Sequence, residues 1–383
     1  MIAWDKLRFK GGAVAKVRLA YFDNIKGVLI ILVVIGHLLE PCARLGSVGL
    51  AGFRVLDFIY MFHMPLFIFL TGLFSKSVFK NGCFRAEVPL FYFAICFLLY
   101  TGLMVEKCLL GSNVSFNYLT LNGRIPWYLM VAGFYVLGVP FFARLKPLVA
   151  VGGSLAISVL AGLVDGTNML SASRAITFLP LFLAGFYLSP DAIIARMKGG
   201  AFHYRWLAAL AAVITIAAAA MFFQFCGLEK LEFFLNMFYG KCSYTDMLST
   251  SGLDVPLVVC MLLRLLSYAA IAVIGVALFI LLPTGRVPML TNAGARSFQI
   301  YVLHPFVYYA LGSIGFTQNV FASLPPVGAV AALMLLGTVL ALLLSIFGGL
   351  QRVFDGMKAR IGRWIDCQDP NARKARSTGD ACS

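Results

Sequence analysis

Ten apolar runs recur along the chain, near 24–42, 56–75, 84–106, 125–142, 147–164, 174–190, 204–226, 256–282, 297–316 and 325–349. At 1.5 Å per residue, runs of about this length cross ~30 Å of hydrocarbon. The pattern predicts an all-α polytopic membrane protein, a bundle of about ten transmembrane helices. It also divides the chain into a basic arm at 1–20, a membrane-embedded domain at 21–350 and a basic tail at 351–383, expected at the membrane surface.

Composition excludes the soluble alternative. Of 383 residues, 61% are hydrophobic and 12% charged, against roughly 25% charged in a soluble domain. The formal charge of +15 would suggest nucleic acid in a soluble protein. No aromatic-interleaved basic patch or nucleic-acid motif supports that, and no nucleic-acid partner is expected. The charge fits a cytoplasmic face against anionic membrane lipid, or a site for an anionic cofactor.

The distribution of charge supports the span count. With the amino terminus inside, 23 Lys and Arg fall on inner segments and seven on outer ones, and Arg264 lies within a span. This positive-inside bias predicts an even number of spans with both termini cytoplasmic. Lys6, Arg8, Lys10, Lys16, Arg18 and Lys26 precede the first run without a cleavage site after it, so the arm reads as leading into a retained helix. The nine cysteines form no metal-ligand spacing, and no metal is expected. Cys226 and Cys242 flank the longest outer segment, 227–255, which is either a functional loop or a solvated cap.

Ionisable groups inside a span are costly and mark function. The spacing places His37 and Glu40 in the first helix, His63 in the second, Arg264 in the eighth and His304 in the ninth. Lys26 and His37 are eleven residues apart, three turns on one face and ~16 Å along the axis. Glu40 shares that face, where a carboxylate can orient the imidazole; Asp23 and Lys26 have the spacing of a simple ion pair. His63 precedes Pro65, so it either contacts substrate or bonds the carbonyl that the proline frees. Ser297, Tyr301, His304 and Tyr308 follow helical spacing and form one polar stripe. Arg264 needs a partner, either an anionic or sugar substrate or Glu40. Trp127 and Tyr128 read as an interfacial anchor, with a sugar-stacking surface as the alternative. Lys76, Lys80 and Arg85, after the second helix, read as topology-setting cations.

Three segments together resemble the acyltransferase family 3 membrane proteins, in particular the fucose 4-O-acetylase-like branch. They are YFDNIKGVLIILVVIGH with Lys26 and His37, FHMPLFIFLTG from Phe62 to Gly72, and SFQIYVLHPF from Ser297 to Phe306. A lysine stands at position 26, where the wider family has arginine, which keeps the cation and loses the bidentate fork. The resemblance implies O-acetyl transfer in a bacterial inner membrane. Cytoplasmic acetyl-CoA would be the donor, and a hydroxyl of an extracytoplasmic or lipid-linked glycan the acceptor. His37 would act as general base, or as an acyl carrier, with Glu40 beside it. His63, Arg264, Tyr301 and His304 would face the acceptor or the developing oxyanion, and Lys26, Lys76 and Lys80 the donor. From the residues alone two rival classes stand: a secondary transporter using the intramembrane histidines, and a non-catalytic partner of a polysaccharide-export machine.

Overall fold

In a computed structural model the described residues are 13–80, 82–120, 125–165, 169–198, 205–316, 319 and 323–368. They form sixteen named helices and one two-residue hairpin. In chain order the helices are α1 (Ala13–Arg44), α2 (Gly49–Ser75), α3 (Glu87–Leu109), α4 (Trp127–Leu137), α5 (Val139–Phe142), α6 (Pro147–Ala161), α7 (Ala172–Tyr187) and α8 (Pro190–Lys198). There follow α9 (Arg205–Gln224), α10 (Leu228–Tyr239), α11 (Tyr244–Ser251), α12 (Leu257–Leu281), α13 (Pro288–Ala295), α14 (Ser297–Ser313), α15 (Pro326–Leu344) and α16 (Gly349–Gln368). The hairpin β1 (Phe79–Lys80) and β2 (Cys83–Phe84) turns through Gly82 at φ +79°.

Seven of these helices are long and apolar enough to cross a membrane: α1, α2, α3, α7, α9, α12 and α15. The other three apolar runs form shorter helices. Gly138 and Pro140 split the fourth run into eleven and four residues, while α6 has 15 residues and α14 has 17. At 1.5 Å per residue these three fall short of a full ~30 Å crossing.

The helices that position the site are apolar on nearly every side, and such helices become the interior of a bundle. In α2, 72% of the most apolar stretch is buried inside the protein, against 11% in α9. Helix α1 packs against α2, α13, α14 and α15, and α2 packs most extensively on α7. The crossing of α1 with α13 is nearly backbone to backbone. A Cβ on Gly294 would strike the Asp23 carbonyl oxygen, and one on Gly27 the Leu290 carbonyl oxygen. Buried Asn24 locks that crossing, since it donates to the carbonyls of Pro283 (2.8 Å) and Gly285 (2.7 Å) and accepts from Thr291 Oγ1 (2.5 Å). Helix α14 therefore begins beside the Lys26 end of α1 and runs along it.

Two segments are more ordered than their sequence suggested. The 227–255 stretch forms α10 and α11, with α10 lying on α2. It is tied down where Ser173 Oγ donates to the Gly240 carbonyl (3.0 Å) and Thr245 Oγ1 to Asp165 Oδ1 (2.6 Å). The start of the basic tail forms α16, which docks on α3 and α14 through Phe354, packed against Phe91 and Phe298. Cys226 and Cys242 are both free thiols.

Candidate active site

Helix α14 places His304 at mid-length, and α1 places His37 two turns before its C-terminal end. The His37 and His304 rings stack with centroids 5.3 Å apart and planes 28° from parallel. The Tyr308 ring lies 6.3 Å from His37, and Tyr301 lies 5.9 Å from His304.

The three intramembrane histidines differ in access. His63 and His304 are 3% and 1% exposed. Each bonds through Nδ1 to the carbonyl four residues earlier, Ile59 (2.7 Å) and Ile300 (3.0 Å). A carbonyl only accepts, so in the neutral ring Nδ1 carries the proton and Nε2 is left as an acceptor. For His304 that Nε2 is buried without a partner among the described residues. The carbonyl that His63 holds belongs to Ile59, one turn back, and is not the Met61 carbonyl that Pro65 leaves without a donor. His37 is half-buried and has no hydrogen-bond partner among the described residues. Of the three, it is the least buried ring.

Glu40 is held differently from the sequence expectation. Oε1 accepts from Arg44 Nε (3.0 Å) and from the Tyr239 hydroxyl, and Oε2 from the Tyr60 hydroxyl (3.3 Å). No bond runs from this carboxylate to His37 among the described residues. Arg44 at i+4 and the tyrosine hydroxyls take its lone pairs, so its action on the imidazole is through space. Gly36 makes the arrangement possible: a Cβ there would meet the Tyr60 ring at 2.8 Å.

Arg174 also acts on His37 electrostatically. It is 3% exposed, donates from Nε to the Tyr239 carbonyl (3.0 Å), and lies 4.5 Å over the Trp127 ring. Its Nη1 is buried without a partner among the described residues. Trp127 and Tyr128 are both half-buried. Trp127 stacks on Phe178, and the Tyr128 hydroxyl meets Thr71 Oγ1 at 2.8 Å.

Two cavities flank the histidine pair. One, of about 360 Å³, opens at the Lys26 end and is lined by Lys26, Thr71, Arg85, Tyr128, Ser297, Tyr301 and Lys358 among others. The other, of about 400 Å³, lies at the Pro41 end and is lined by Pro41, Lys107, Asn113, Ser115, Tyr308 and Gly312 among others. The polar stripe of α14 thus connects them: Ser297 and Tyr301 in the first, His304 in the stack, Tyr308 in the second.

The remaining site candidates fall as follows. Tyr301 lines the first cavity and donates its hydroxyl to the Ile125 carbonyl. Lys26 lines the same cavity while paired with Asp23 at 2.7 Å. Lys76 turns away from it, to the Leu188 carbonyl at 2.9 Å. The Lys80 side chain lies outside the described residues. Arg264 is not a partner of Glu40. It is buried between α7, α11 and α12, donating to Thr177 Oγ1 (3.2 Å) and lying 4.9 Å over Tyr244, with Nε and Nη2 unpartnered.

Arg174 and Tyr239 escaped the sequence reading. Arg174 sits in the first turn of α7 and counted as an outer cation, and Tyr239 sits in what read as a loop. Tyr60 was detectable, three residues before His63 on one face. Asp57 was also passed over: it is fully buried in α2 with neither carboxylate oxygen partnered among the described residues.

The model of the acyltransferase domain of family 3 matches residues 19–346. Nodulation protein NolL of Mesorhizobium japonicum is 25% identical over 230 residues, covering 56% of this chain and 58% of the relative. Nodulation protein NolL of Sinorhizobium fredii is 33% identical over 100 residues, 26% of this chain and 27% of the relative. The chain thus spans less than two thirds of the length of either curated relative. No solved structure matches. With 328 consecutive residues covered by one family model, around a histidine placed between two cavities, the chain belongs to the acyltransferase 3 family of membrane proteins.

Proposed function

We propose that this protein is a membrane O-acetyltransferase that moves an acetyl group from cytoplasmic acetyl-CoA to a hydroxyl of an extracytoplasmic or lipid-linked glycan. The observation that carries the reading is the pair of cavities on opposite sides of the His37–His304 stack, with α1 and α14 lining both. The Lys26 end is taken as cytoplasmic because its segments hold most of the basic residues. Its cavity offers the cations Lys26, Arg85 and Lys358 to an anionic nucleotide and is lined deeper along α14 by Tyr301, one turn before His304. A pantetheine arm spans the ~16 Å from Lys26 to His37. The acceptor enters at the Pro41 end.

In the reaction, the acceptor oxygen attacks the thioester carbonyl while His37 takes the hydroxyl proton as general base. The new C–O bond forms, the C–S bond breaks, and the thiolate of CoA leaves and regains a proton. A half-buried neutral imidazole between the two cavities suits this role. The Glu40 carboxylate stabilises the imidazolium through space, held in place by Arg44, Tyr60 and Tyr239. Charge developing on the carbonyl oxygen needs donors. Neutral His63 and His304 present acceptors there, and the Tyr301 hydroxyl is already committed, so Arg174, with its unpartnered Nη1, is the assigned stabiliser. His304 Nε2 is left to orient the acceptor hydroxyl. Within the family, the segments from Phe62 to Gly72 and from Ser297 to Phe306 favour the fucose 4-O-acetylase-like branch, and a bacterial inner membrane as its place.

The test is transfer of labelled acetyl from acetyl-CoA to glycan acceptor in reconstituted liposomes, wild type beside His37→Ala. Loss of about 10²–10⁴-fold is expected for removal of a general base. Equal transfer by both proteins overturns the mechanism.

A further inference from the structure

Helix α16 lies beyond the stretch matched by the family model, which ends at residue 346, yet it contributes a side chain to the first cavity. Phe354 anchors it on Phe91 of α3 and Phe298 of α14. One turn further along the same face, half-buried Lys358 lines the cavity beside Lys26 and Arg85. Among the described residues no carboxylate lines that cavity. Lys26 and Arg85 each have an ion-pair partner, Asp23 at 2.7 Å and Glu87 at 2.8 Å. Lys358 has none among the described residues, although Arg85, Glu87 and Asp355 all act on it electrostatically. A half-buried ammonium without an ion-pair partner among the described residues, lining a cavity with two other cations, is a site for a phosphate.

We propose that α16 forms a wall of the donor site and that Lys358 binds a phosphate of the acyl-CoA nucleotide. The inference rests on reading the first cavity as the donor cavity. Recognition then has two parts. The family domain holds the pantetheine arm and places the thioester, and a helix outside it adds charge at the cavity mouth.

The experiment uses full-length protein in liposomes and measures KM and kcat of Lys358→Ala, Lys358→Arg and Arg85→Ala. Each is assayed with acetyl-CoA and with S-acetylpantetheine, which has no phosphate. For Lys358→Ala the expected result is a KM for acetyl-CoA raised about ten-fold, the scale of one charge-assisted contact, with kcat kept. Its KM for S-acetylpantetheine stays unchanged, and Lys358→Arg restores acetyl-CoA binding. A rise of equal size for both donors overturns the phosphate contact and points to a lipid-facing or packing role for the helix. An unchanged acetyl-CoA KM in Lys358→Ala, with a raised one in Arg85→Ala, overturns the role of Lys358 and leaves the donor cavity standing. No change in either variant overturns the donor cavity, and this inference with it.

Discussion

The imidazoles of His37 and His304 stack with centroids 5.3 Å apart, one from each of two helices that line both cavities. The stack holds one half-buried ring against one buried ring whose Nε2 has no partner among the described residues. A change at either should be felt in the chemistry more than in the fold. His304→Phe keeps an aromatic surface against His37 and removes the Nε2 acceptor. Its kcat for acetyl transfer is expected to fall about ten-fold or more, the scale of one lost hydrogen bond to the reacting hydroxyl, with protein yield and melting temperature near wild type. Unaltered kcat would show that the stack matters only as packing.

Glu40 gathers three donors from α1, α2 and α10, so its partners act as a unit. Tyr239→Phe and Tyr60→Phe should each lower kcat several-fold. In a Glu40→Gln background the same changes should cost much less, with coupling of about 0.5–3 kcal/mol as is usual for one network. A mutant cycle on kcat measures this. Additive losses would separate the tyrosines from the carboxylate.

The second cavity is open at Gly312: a Cβ there meets nothing within 4 Å. Gly312→Phe should fill it without straining α14. KM for the glycan acceptor rises and KM for acetyl-CoA does not, which steady-state kinetics with each substrate varied will resolve.

Helices α2 and α7 touch through glycine. A Cβ on Gly72 would strike the Phe182 carbonyl oxygen, and one on Gly185 the Phe69 carbonyl oxygen. Small residues at such crossings allow backbones to approach closely in membranes. Gly72→Ala or Gly185→Ala should cost about 1–3 kcal/mol by overpacking. The loss should appear as a lower unfolding temperature in detergent, and the double variant should fall less than the sum because the two residues share one contact.

Donor affinity should depend on pH through Lys358. Burial, and next the neighbouring Arg85, lower the basicity of its ammonium, while Glu87 and Asp355 act in the opposite direction. It therefore loses its charge at a lower pH than an ordinary lysine, whose pKa is about 10.4. CoA affinity, followed by titration, should weaken as pH rises into the alkaline range. Lys358→Arg should flatten that dependence, because a guanidinium keeps its proton there.

What the sequence determined by itself is the part of this protein governed by local rules. Apolar runs of about 20 residues fix helices wherever lipid or protein surrounds them, because each backbone group must be satisfied within its own segment. Helical spacing alone put Lys26 and His37 on one face, and joined Ser297, Tyr301, His304 and Tyr308 into the stripe that connects the cavities. Tertiary structure decided the partners. Glu40 lies three residues from His37, yet Tyr239, 199 residues away, takes its oxygen. Arg174 read as a surface charge until α10 and Trp127 closed over it, and Lys358 read as tail until Phe354 docked its helix. Hydrogen bonds and buried charges are satisfied by whatever the packing brings within about 3 Å, and spacing along one helix does not contain that information.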